Sequence, residues 1–161
     1  MTVQRVYVYL VSAAALVLLA IGLAVLGATI LLFVFKDPRA DSNRGILAIS
    51  AAMSVIALPL WQIHFQFGQR LAKRDPYERR SAIRRVYLYF ACLLFAVAAL
   101  VLLPMSLYAL LRPMFSTSTI DGEWAAQDGW LAALFVAISV FHFCVAARDR
   151  STIHGNPPSR P

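Results

Sequence analysis

The sequence predicts an all-α fold: a transmembrane bundle of four helices, built from two parallel two-helix repeats. Three observations carry this. The 161-residue chain is 60% hydrophobic and only 14% charged. Its apolar residues fall into four runs, roughly 6–35, 46–67, 86–111 and 129–147, none of which contains Asp, Glu, Lys or Arg. The chain also repeats itself. Arg5-Val6-Tyr7-Val8-Tyr9-Leu10 returns as Arg85-Val86-Tyr87-Leu88-Tyr89-Phe90, and His64-Phe65, shortly before Arg70, returns as His142-Phe143 before Arg148.

Each run is close to or above the ~20 residues a helix needs to cross a hydrocarbon layer about 30 Å thick. Backbone groups left unpaired in lipid are costly, so segments of this length must be helical. The first run has a basic start at Arg5 but far exceeds a secretory signal core, so it reads as a retained membrane helix. Its Ala13, Ala20 and Gly27 recur at seven-residue spacing, a seam on which a neighbouring helix packs closely. The first connection, 36–45, carries Asp37-Pro38 and Asn43-Arg44-Gly45, which are turn residues. Helix two contains Pro59, expected to kink it just before Trp61 and His64.

The second connection ends in Asp75-Pro76-Tyr77-Glu78. An Asp cap, Pro at the first helical position and Glu three residues after the cap mark a helix start. Helix three is therefore expected to begin about ten residues before the membrane, as a basic segment over 79–85, with a later kink at Pro104. The third connection, 112–128, is acidic and carries Trp124, with Trp130 just beyond it. The transmembrane domain spans 1–150, with repeats over about 5–70 and 85–148, and 151–161 reads as a disordered tail.

Orientation follows from the basic residues. Eleven of the fifteen lie on the side of the two termini and the 68–85 connection, which the positive-inside rule assigns to the cytoplasm. The net charge of +7 is thus a topology signal, and nucleic acid is not an expected partner. Cys92 and Cys144 lie in apolar runs without metal-ligand spacing and read as small buried side chains. The sequence contains no Gly-rich phosphate loop, nucleophile elbow or paired intramembrane carboxylates, so no enzymatic activity is expected.

Chemistry, if any, is expected in one layer. Tyr9 and Tyr89 lie one turn inside their entering arginines, and His64 and His142 lie at a similar depth on the returning helices. Trp61, His64, Phe65 and Gly68 share one stripe of helix two, matched by Ser139, His142, Phe143 and Ala146 on helix four. Gln62, Gln66 and Gln69 form a second, polar stripe. The leading reading is an interfacial aromatic belt with helix-to-helix hydrogen bonds. A bis-histidine b-type haem held by His64 and His142, lined by Tyr9, Tyr89 and Trp61, is the sharper alternative. A small transporter or channel component is the third. Arg79, Arg80, Arg84 and Arg85 are candidates for docking lipid headgroups or an acidic partner.

Two segments also resemble a known family. Leu58-Pro59-Leu60-Trp61-Gln62-Ile63-His64-Phe65 and the stretch from Asp75-Pro76-Tyr77-Glu78-Arg79-Arg80 to Tyr89 look like an uncharacterised family of bacterial multi-pass membrane domains. Its members are known only as a domain of unknown function. The similarity covers about 5–112, and Phe65 stands where the family carries tryptophan. It implies a helical protein of the bacterial inner membrane and no activity. Taken together, the expectation is a non-catalytic structural, accessory or scaffolding subunit. Its partners would be the bilayer and other membrane proteins.

Overall fold

In the computed structural model, residues 2–79, 81–112 and 121–155 are described. Four long helices dominate: α1 (Thr2–Val34), α2 (Arg44–Arg74), α4 (Ala82–Leu111) and α5 (Asp121–Gly155), with a one-turn α3 (Pro76–Arg79) between α2 and α4. All four are long and apolar enough to cross a membrane. The fold is thus the transmembrane helical bundle that the apolar runs predict. The 113–120 connection and residues 156–161, most of the expected tail, lie outside the described residues. Within that tail, α5 continues to Gly155.

Why each helix ends where it does is readable locally. At the end of α1 the Asp37 N–H donates to the Leu32 carbonyl and the Lys36 N–H to that of Phe33, while Lys36 takes φ = 55°. This pairing satisfies two terminal carbonyls and places a lysine where glycine is usual. Asp75 caps α3, its Oδ1 accepting from the Tyr77 N–H at 2.9 Å.

The cap departs from expectation in one respect. Helix three does not run continuously from Pro76; it breaks at Ser81 (φ −57°, ψ 129°) and restarts at Ala82. The cause is Glu78. Its carboxylate does not fold back on the cap but turns into the bundle, fully buried, towards Arg5 and Tyr9.

The helices pair as two antiparallel hairpins, α1 with α2 and α4 with α5. Gly22 makes the first seam close, because a Cβ there would sit 2.7 Å from Ser54 Oγ. The hairpins meet chiefly through α1 against α5 and secondarily through α1 against α4. The Ala13–Ala20–Gly27 stripe faces this junction: Ala20 packs with Leu16, Ala91 and Phe95, and Trp130 lies directly over Gly27. The small residues are thus used inside the molecule.

The repeat survives with a change of register. Inward positions of α1 and α4 correspond as Arg5/Arg84, Ser12/Ala91, Leu16/Phe95 and Ala20/Ala99, each 79 apart rather than the 80 of the repeated motif. A shift of one residue turns a helix by about 100°. Hence Tyr9 and Tyr87, not Tyr9 and Tyr89, point inward. On α2 and α5 the offset of the histidines is kept, as in Ser54/Ala132 and Gly68/Ala146.

Candidate functional site: a buried polar network at the arginine-rich end

The inward register of α4 runs Arg84, Tyr87, Leu88, Ala91, spaced i, i+3, i+4, i+7. Arg84 therefore enters the bundle instead of facing solvent, and its exposure is 1%. Burying a guanidinium demands that its donors be met. Here Nε donates to Asp149 Oδ2 at 2.7 Å and Nη2 to Gln69 Oε1 at 2.9 Å. Nη1 reaches the Tyr9 hydroxyl at 3.3 Å and the Gly68 carbonyl at 3.4 Å. One side chain of α4 thereby ties α1, α2 and α5 together.

A second cation completes the cluster. Arg5 Nε lies 2.7 Å from Glu78 Oε2, an ion pair without hydrogen-bond alignment, and its Nη2 donates to Asp75 at 3.2 Å. Tyr9 bridges the two halves, donating to Glu78 Oε1 at 3.2 Å while accepting from Arg84. Its ring rests against Gly68, where a Cβ would come within 3.2 Å. Two cations thus face three carboxylates, Asp75, Glu78 and Asp149.

Below this layer lies a hydroxyl centre. The Tyr87 oxygen accepts from Ser12 Oγ at 3.2 Å and Trp61 Nε1 at 3.3 Å, leaving its own proton for His142 Nε2 at 3.4 Å. The other imidazole nitrogen, Nδ1, lies 2.8 Å from the Ile138 carbonyl, which can only accept, so the proton sits on Nδ1. Trp61, Phe65, Tyr87 and Phe141 surround the buried His142 ring with centroids 5.2–6.4 Å away.

The structure splits the residues that the sequence groups together. His142 is enclosed, but His64 stands partly exposed against Tyr7, its Nδ1 on the Leu60 carbonyl at 2.8 Å. The two histidines share no ring neighbour, so the facing pair that haem ligation needs is not formed. Trp61 and Tyr9 do line the inner layer. Tyr89 turns outward to Arg150, whose Nε donates to its hydroxyl at 2.7 Å. Phe143 faces out and Phe65 in.

Among the docking arginines, Arg84 is corrected to the interior, because its helix phase and the Asp149 ion pair draw it inward. Arg85 is exposed. Arg80 and the Arg79 side chain lie outside the described residues. Cys144 is exposed on α5, not buried, whereas Cys92 faces Ser139. Among the described residues no group of His, Cys, Asp and Glu side chains is placed to hold a metal ion.

Sequence reasoning missed Glu78, Asp149 and the inward Arg84. The signal was present in one case. Extending the Leu88–Ala91–Phe95 stripe back by one turn lands on Arg84, not on the repeated Arg85.

The opposite end is organised differently. Arg39 chelates Asp37 through two contacts of 2.8 Å, donates to Glu123 at 3.0 Å and lies over the Trp124 ring. Hydrogen bonding to Arg39 holds the Asp37 carboxyl far below the usual carboxylate range. Nearby, Pro104, Met105, Tyr108, Arg112, Trp124 and Asp128 line a cleft of about 410 Å³ between α4 and α5.

Four apolar spans and polar side chains that turn inward to one another define a multi-pass helical membrane domain. The chain belongs to DUF5671, a domain of unknown function, whose family profile matches residues 5–138. The match reaches past the 5–112 stretch into α5 and stops short of His142 and Asp149. No curated protein and no solved structure matches the chain.

Proposed function

We propose that this protein is a non-catalytic structural or accessory subunit of a larger assembly in a bacterial inner membrane, with both termini in the cytoplasm. One observation supports this above others. Arg5, Glu78, Arg84 and Asp149 are joined through Tyr9 and Gln69 across all four long helices, as a tie between hairpins is. Intramembrane charges that serve transport face a water-filled path; Arg84 and Glu78 instead face Tyr9, Gln69 and Arg5. The basic surface that includes Arg85 lies at the same end, suited to anionic headgroups or an acidic partner.

Affinity purification in mild detergent tests the reading, with mass spectrometry of copurifying chains and a reduced-minus-oxidised absorbance spectrum. A stoichiometric membrane partner and no α-band are expected. A haem spectrum, or a chain that never carries a partner, contradicts it.

A further inference from the structure

The polar stripe of α2 divides in the structure. Gln69 turns in to Arg84, but Gln62 and Gln66 point outward from the bundle and, among the described residues, have no hydrogen-bond partner. Gln62 precedes Arg70 by eight residues, about 12 Å along the helix, which puts it within the hydrocarbon layer. A carboxamide facing lipid alone loses its hydrogen bonds without return.

The surrounding stripe has the makings of a helix contact. Going up the same outer face, opposite the buried Ser50, Ser54, Ala57 and Gly68, come Ala48, Ala52, Val55, Pro59, Gln62 and Gln66, all exposed. Ala48 and Ala52, one turn apart, allow close approach, and the two glutamines supply interhelical hydrogen bonds further along.

We propose that this outer face of α2 binds a second copy of the same chain, with Gln62 and Gln66 pairing across a two-fold axis along the membrane normal. Two properties select that occupant. A carboxamide carries both donors and an acceptor, so an identical group satisfies it with no other chemistry required. Copies inserted in the same orientation hold each glutamine at the depth of its twin, which an isologous interface brings together. Arg70 and Lys73 continue the stripe beyond Gln66, where water and salt screen their mutual repulsion.

The test is native mass spectrometry from mild detergent over a series of protein-to-detergent ratios, on wild type and the Gln62→Leu/Gln66→Leu variant. Helicity and thermal unfolding are followed in parallel. Wild type is expected to dimerise. The variant should dimerise at least about tenfold more weakly with unchanged helicity, and its melting should match wild type at dilutions where both are monomeric, since both side chains lie outside the bundle. A wild-type monomer at every ratio, or an equally tight variant dimer, overturns the proposal. So does a complex in which the variant sheds a different chain and no second copy is found; that result leaves the accessory-subunit reading standing.

Discussion

At the arginine-rich end, Arg84 is almost fully buried and bonded to side chains of α1, α2 and α5; at the opposite end, Arg39 binds Asp37 and Glu123 with half its side chain in the open (51%). Both arginines make two or more contacts under 3.0 Å. Distance does not separate them; desolvation does. An exposed ion pair gains little over hydrated ions, whereas a buried one cannot lose a partner without stranding the other. Buried ion pairing therefore ties the helices at the arginine-rich end, while the ion pairs of the opposite end stay open to solvent.

The largest expected effect breaks the comparison at its strong side. Arg84→Met should cost about 3–5 kcal/mol, because Asp149, Gln69 and the Tyr9 hydroxyl lose the buried guanidinium that joins them. Arg85→Met, one residue on and exposed, should cost under about 0.5 kcal/mol. Unfolding in a denaturing-detergent titration compares them, and equal losses would refute the 79-residue register.

Next comes Gly27→Leu, which drives atoms into the space that Trp130 occupies, where even a Cβ would collide with the indole ring. Overpacking of this kind costs about 1–3 kcal/mol. It also strips the Trp130 indole of its bond to the Leu23 carbonyl, so tryptophan fluorescence should shift with the loss of stability.

A smaller contrast sets Tyr87 against Tyr89. Tyr87→Phe removes a hydroxyl that serves Ser12, Trp61 and His142, at about 1–2 kcal/mol. Tyr89→Phe loses one exposed bond to Arg150 and should cost under about 0.5 kcal/mol.

The weakest effect belongs to the open end. Arg39→Ala should leave the melting temperature indistinguishable from wild type. Because the folded Asp37 carboxyl titrates below its unfolded value, its contribution is fully present above about pH 4 and fades as pH falls further. A melting series from pH 7 to pH 5 should show no Asp37-linked change.

How much of this was legible beforehand divides along the same line. Membrane spans, hairpin order and the inward Trp61 and His142 follow from apolar runs and helical stripes, which are local properties. The arginine network is not local. The repeated Arg-Val-Tyr motif pointed to Arg85 and Tyr89. The turn of α4 is decided instead by Leu88 packing with Tyr9 and by Ala91 and Phe95 packing with Leu16 and Ala20, a register of 79 rather than 80 residues. Glu78 reads as an ordinary capping acid; only the third dimension shows Arg5 and Tyr9 waiting for it. Asp149 lies beyond the last apolar run and carries no pattern at all. His64 fits its stripe, but a stripe is wide, and 60° from Trp61 is enough to leave the core for the edge beside Tyr7.

A double-mutant cycle on Arg84→Gln and Asp149→Asn, read by unfolding in detergent or lipid, tests most directly whether the buried network joins the helices. Strong coupling, above about 1 kcal/mol, is the expected result for a desolvated pair. Additive losses, with coupling below about 0.3 kcal/mol, would mean that the arginine-rich end is held no differently from the open one.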